Sequence, residues 1–181
     1  QLLPEGYDIV AIPSRPLIFS DNGRHIFFFI RAAKNKSSTN DLVEVWDAST
    51  PYERPIQEKF DARENEYYLT QWDYHKNIVA TIGTKEFPIA MLLPDNKKAI
   101  KYAPETYEPQ FDEVAPVDYY IQDFDTGKSR KVLERHSRAP YTFQMSPSGK
   151  YIAYFKHGHW WLQDTQGGAP KNLTQNANQE F

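Results

Sequence analysis

The side chains in this chain that could do chemistry are few and scattered. There is no cysteine in 181 residues, which excludes disulfides, thiolate metal sites and a cysteine nucleophile. His157-Gly158-His159 offers two imidazoles, but they flank a two-residue turn and have no third ligand nearby in sequence. That spacing suits a hairpin better than a metal site. Ser137 and Ser146 lie close to His136 in sequence, yet closeness in sequence is not a triad. No Gly-x-Ser-x-Gly elbow, the strained turn that exposes a nucleophilic hydroxyl, occurs in the chain. Asp21-Asn22-Gly23 opens like a calcium loop but lacks the later Glu and the alternating ligands, so it reads as a turn. Glu105, Glu108, Asp112 and Glu113 read as a solvated acidic loop rather than a site for a cation or a basic peptide. No catalytic, cofactor-binding or metal-ligating residue is assigned, and no cofactor is expected.

Composition narrows the partners. Hydrophobic residues make up 40% of the chain and aromatics 15%, so the segment is globular. Twelve Tyr, eleven Phe and four Trp favour strands, where flat side chains cover a pleated surface. A net charge of −3 without a basic run argues against nucleic acid as a partner. The longest apolar runs, Ile26 to Ile30 and Ala90 to Leu93, are too short to span a bilayer. The chain starts at Gln1 without Met and without a signal peptide, which reads as a processed or excised segment. Asn35-Lys36-Ser37 and Asn172-Leu173-Thr174 match the glycosylation sequon and are read as chance matches.

Any function must therefore come from the elements, and these repeat. In Met145-Ser-Pro-Ser-Gly-Lys-Tyr-Ile-Ala-Tyr-Phe155, Pro147 presets φ and Gly149 permits φ > 0, so a turn joins two strands. His157-Gly158 is the next hairpin loop, His159 to Gln163 returns, Asp164 to Gly168 turns again, and Lys171 to Leu173 supplies an outer edge strand. Trp160 and Trp161, adjacent on a strand, point to opposite faces and pack them rather than form a ligand platform. A cruder copy runs from Leu17 to Ile30, with Asp21-Asn22-Gly23 as its turn and Leu42 to Asp47 as its third strand. A middle copy runs from Ala90 to Tyr102 and continues through Asp118 to Asp125 and Lys131 to Leu133. Innermost strands are expected between copies, best seen in Ile78 to Ile82, preceded by Tyr67 to Asp73. An Asp closes the third strand of each copy, at Asp47, Asp125 and Asp164, where it can cap the turn that follows.

A β-unit repeated along a chain is the signature of a propeller. The expected fold is all-β: a β-propeller portion of about three antiparallel blades forming an incomplete ring, since propellers have about four to eight. One partial propeller domain, 1–181, carries blade-like units at about 9–60, 67–133 and 140–174. The intervals from Gly23 to Lys97 and from Lys97 to Gly149 exceed the roughly 40 to 50 residues of an ordinary blade. The excess sits in two inserts, Pro51 to Asp73 and Pro104 to Pro116. Long rim loops are disproportionately the binding parts of such folds, so these are the candidate functional surface.

The stretch Ser-Pro-Ser-Gly-Lys-Tyr-Ile-Ala-Tyr-Phe, the hairpin into His-Trp-Trp, Asp164-Thr165, a Gly turn and Lys-Asn-Leu-Thr resembles the propeller blades of prolyl oligopeptidase-type serine peptidases. The dipeptidyl peptidase IV and acylaminoacyl peptidase branches, in their bacterial members, are nearest. The resemblance is sharp over Phe143 to Thr174, weaker over Val117 to Leu133 and Leu17 to Asp47, and faint between. It implies an N-terminal propeller that caps a C-terminal α/β-hydrolase domain of the same parent chain and restricts entry to short peptide substrates. It also implies a periplasmic or secreted location. The paired-glutamate motif with which dipeptidyl peptidases hold a free N-terminus is not matched; Glu64-Asn65-Glu66 comes nearest, with different spacing. The segment itself is then non-catalytic, a gate and support. Propellers with no enzyme attached share such blades, which leaves a periplasmic protein-binding platform as the alternative.

Overall fold

The computed structural model describes residues 3–33, 67–108 and 114–176. Thirteen strands, β1 (Tyr7–Val10), β2 (Ile18–Phe19), β3 (His25–Ala32), β4 (Tyr68–Asp73), β5 (Ile78–Thr81), β6 (Ile89–Leu92), β7 (Lys98–Tyr102), β8 (Pro116–Asp123), β9 (Ser129–Ser137), β10 (Phe143–Met145), β11 (Tyr151–Lys156), β12 (His159–Asp164) and β13 (Lys171–Asn172), form three antiparallel sheets. The helical content among the described residues is one 3-10 turn, Pro140–Thr142. No helix of the described residues is long and apolar enough to cross a membrane.

Each sheet is a four-strand meander in chain order: β6-β7-β8-β9, β10-β11-β12-β13, and β3-β4-β5 preceded by a split first strand. β1 pairs with the C-terminal half of β3 (Val10 opposite Phe29), and β2 pairs with its N-terminal half (Phe19 opposite Ile26). The sheets are therefore the blades of an all-β, open propeller arrangement, and they stack through alternating strand faces. Phe27, Phe29 and Leu69 of the first sheet meet Ala90, Leu92 and Ala99 of the second, with the Phe124 ring 5.2 Å from that of Phe27. The opposite face of the second sheet, Ile100, Tyr119 and Ile121, meets Ile152, Tyr154 and Trp161 of the third. Complete burial of Phe27, Ile100, Val117 and Ile152 is the main stabilisation, at about 1.5–3 kcal/mol per large side chain.

The repeat is tighter in space than in sequence. In all three first turns the opening residue donates its N–H across the hairpin and accepts one from the residue three on: Ser20 (from Gly23), Leu93 (from Asn96) and Ser146 (from Gly149). Gly23, Asn96 and Gly149 all have positive φ, at 63°, 50° and 65°. The residue before each, Asn22, Asp95 or Ser148, accepts from the amide two residues on. Asn96, not Lys97, thus matches the two glycines. The strand-closing aspartates are Asp73, Asp123 and Asp164, which accept from the amides of Lys76, Thr126 and Gln166.

Strand pairing shifts two expectations. Tyr68–Asp73 and Ile78–Thr81 do not open the second sheet; they pair onto β3 and complete the first. The second sheet accordingly begins at Ile89, and Asp123 rather than Asp125 ends its third strand. The insert in the first sheet lies between Ala33 and Tyr67, since Tyr68–Asp73 is strand. Leu42 to Asp47, the sequon at Asn35, and Glu64-Asn65-Glu66 lie outside the described residues.

Candidate functional site

Antiparallel order puts every first and third turn of a sheet on one rim, and every second-to-third-strand connection on the other. At the turn rim, a cleft of about 260 Å3 opens between the first two sheets, lined by Arg24, His25, Gln71, Asp73, Gln122 and Asp125 among others. Asp73 anchors it. Its carboxylate accepts from the Lys76 amide at 3.0 Å and from Arg24 Nε at 3.3 Å. The Lys76 amide and Arg24 hold its pKa below the ordinary value despite some desolvation. His25 Nε2 stands 3.8 Å from Asp73, an ion-pair distance rather than a hydrogen bond. Burial pushes the His25 pKa down, and Asp73 only partly offsets this. The adjacent hydroxyl, Ser20 Oγ, is committed to its turn: it donates to Asn22 Oδ1 at 2.8 Å and accepts from the His25 amide at 2.8 Å. The cleft is a mixed-charge surface suited to holding a small polar group.

The opposite rim carries the second insert. Residues 103–115 join β7 to β8, the same connection that residues 33–67 make between β3 and β4. Asp118 ties the second insert down. It accepts from the Tyr107 hydroxyl at 2.6 Å, from the Arg135 amide at 2.9 Å and from Lys131 Nζ at 2.8 Å. Burial acts to raise the Asp118 pKa, but the bonds from Lys131, Tyr107 and Arg135 outweigh it and hold the carboxyl low. The Arg135 amide is presented by a register irregularity between β8 and β9, where Arg135 takes φ 45° under its own guanidinium's contact with the Tyr107 ring, 5.1 Å away. Beside this clasp a second cleft of about 260 Å3 is lined by Tyr68, Lys85, Pro88, Ala103, Pro104 and Glu105. The first half of the acidic loop, Glu105 and Glu108, therefore sits on this rim; Asp112 and Glu113 lie outside the described residues.

The remaining residues singled out from sequence occupy structural positions. His157 and Gly158 both have positive φ, at 53° and 77°, and form the β11–β12 hairpin loop. His159 Nδ1 lies 3.2 Å from Thr174 Oγ1. No group of three potential metal-holding side chains occurs among the described residues. Ser137 Oγ accepts from the Ala139 amide and Ser146 Oγ from the Tyr151 amide. His136 faces neither serine: its Nε2 is 3.1 Å from the Thr142 carbonyl, among the rings of Tyr119, Phe143 and Tyr154. Asp21-Asn22-Gly23 is a turn. Trp161 packs toward the second sheet, while Trp160 meets Phe155 on the outer face, with centroids 5.6 Å apart. Sequence reasoning passed over the Asp73 and Asp118 clusters because each joins residues far apart in the chain.

No protein-family model matches this chain, and no curated protein matches it. Several solved structures are similar in backbone. An oligogalacturonate lyase in complex with manganese aligns over 94% of this chain at 14% identity and a TM-score of 0.44. A prolyl endopeptidase aligns over 93% at 10% identity and a TM-score of 0.42. The tricorn protease aligns over 94% at 17% identity and a TM-score of 0.39. The chain spans 43%, 22% and 18% of those proteins' lengths, respectively.

Proposed function

We propose that this chain is a non-catalytic blade segment of a prolyl oligopeptidase-like serine peptidase, where it supports a separate hydrolase domain and limits access to short peptides. One observation carries the reading: three sheets repeat the same turn and the same strand-closing aspartate in register, and the third carries the peptidase-like blade motif over Phe143 to Thr174. A stack of this kind builds a wall with rims. The hydroxyls and imidazoles described above are spent on turns and seams, which suits a wall that leaves chemistry to another domain. A periplasmic or secreted setting belongs to the same proposal.

The test is labelling with a fluorophosphonate serine-hydrolase probe, applied to the full parent protein and to these 181 residues separately. Labelling of the parent alone is the expected outcome. A folded parent that stays unlabelled while a control hydrolase reacts would replace the peptidase reading with a protein-binding platform.

A further inference from the structure

The connection between β1 and β2 holds an arginine, Arg15, that has no counter-charge among the described residues. Arg15 sits in Ile12-Pro13-Ser14-Arg15-Pro16, a turn closed by the Arg15 amide donating to the Ile12 carbonyl at 2.9 Å. The two prolines restrict the backbone on either side, so the Arg15 Cα is placed before any ligand arrives. Its guanidinium carbon lies 5.1 Å from the centre of the Phe29 ring and 5.8 Å from that of Tyr67. Those rings come from β3 and from the residue just before β4, and both hold the guanidinium by cation–π contact.

The Arg15 Nε is shut off from solvent and has no hydrogen-bond partner among the described residues. No carboxylate among the described residues pairs with Arg15, although Arg24 holds one and Lys131 two. The residue as a whole is only half-buried, and neither Nη is among the shut-off, unpartnered atoms of the described residues. A partly desolvated, oriented and uncompensated guanidinium with an open edge is a preformed receptor for a planar anion, because two parallel N–H donors match the two oxygens of a carboxylate. The desolvation that the rings impose without an internal anion is a cost that an incoming carboxylate offsets. The location suits a ligand: β1 and β2 form the free first-strand edge of their sheet, the edge that faces the axis in a propeller.

We propose that Arg15, oriented by Phe29 and Tyr67, is the anchor of a binding site for the carboxylate of a small molecule. Under the peptidase reading that carboxylate is the C terminus of a short peptide; an acidic sugar would present the same chemistry. Calorimetric titration of the protein with N-acetyl-trialanine, with its C-terminal amide and with digalacturonate separates the sources.

Binding of the peptide acid but not the amide is expected. It should weaken by at least about tenfold in Arg15→Lys, which keeps the charge and loses the planar fork. Tyr67→Leu, which leaves the charge untouched and removes one orienting ring, should weaken it by a smaller factor. Binding of digalacturonate in place of the peptide acid, with the same loss in Arg15→Lys, would uphold the carboxylate site while counting against the peptidase reading. Equal binding of acid and amide, no saturable binding of any probe, or full affinity in a folded Arg15→Lys would overturn the proposal. Circular dichroism on each variant establishes that it is folded.

Discussion

His136 and Asp118 show how single side chains in this fold couple stability to pH in opposite ranges. His136 is 3% exposed, in the seam between the second and third sheets. Burial lowers its pKa, the Thr142 carbonyl raises it less, and Lys156 adds to the lowering. The fold thus prefers the neutral imidazole, and the unfolded chain binds the proton more readily. The stabilisation is complete above the ordinary value of 6.5 and is lost progressively as pH falls below it. His25 behaves in the same direction. Urea midpoints measured from pH 8 to pH 5 should therefore fall, and His136→Gln should flatten part of that slope; an unchanged slope would contradict the buried-neutral assignment.

Asp118 works the other way. Its pKa is depressed, so its contribution holds above the ordinary carboxylate value of 3.8 and disappears as pH drops through the lowered one. Asp118→Ala strands the Arg135 amide and the Tyr107 hydroxyl and should cost about 2–4 kcal/mol in urea unfolding at pH 7. Increased protease cleavage between Ala103 and Ala115 should accompany it, because the clasp on that connection is gone. Such a cluster had no sequence signature. Tyr107, Asp118, Lys131 and Arg135 become neighbours only when β8 pairs with β9, irregularity included.

At the scale of elements, the third sheet was the most legible, because all its determinants are local. Pro147, Gly149 and Gly158 specify the turns, and Tyr151 to Phe155 and His159 to Gln163 fill the strands between them. The first sheet departs from the pattern expected of its sequence for a physical reason. Its second and third strands are separated by the long stretch from Ala33 to Tyr67, and nothing local says that β3 pairs across it. Leu42 to Asp47, the expected third strand, lies outside the described residues, and β4, ending at Trp72-Asp73, takes the third place in the first sheet rather than opening the next unit. In the second sheet, two aspartates lie two residues apart, and only the register of β7 on β8, Lys98 opposite Asp123, decides which one closes the strand.

The turns also interlock between sheets. A Cβ on Gly149 would stand 2.6 Å from the Asp95 carboxyl carbon, whereas one on Gly158 would meet nothing within 4 Å. Both glycines have positive φ, so both alanine variants carry backbone strain of about 1 kcal/mol. Gly149→Ala should be the more destabilising in thermal unfolding, because the Asp95 carboxylate must swing away from the Lys97 amide and Lys98 Nζ that it holds. Equal losses would mean that the first turns of the second and third sheets do not pack as described.

For the whole molecule, the two ends of the stack matter most. The far face of the first sheet shows Ile26, Phe28, Trp72 and Val79 around an apolar groove of about 280 Å3. The far face of the third sheet carries Phe155 and Trp160. Neither face meets another sheet among the described residues, whereas the two inner seams are each built on a cluster of buried apolar side chains. An arc with apolar ends is what a wall segment of a larger ring requires, and in the proposed function that ring governs which substrates reach a catalytic domain.

The most direct test is the dependence of kcat/KM on substrate length, measured with the full parent protein on peptides that share one cleavage site and grow from a few residues to a few tens. A gating propeller predicts efficient cleavage of the short peptides and a steep fall beyond a size limit. A rate independent of length would contradict the gate, leaving these sheets as support alone.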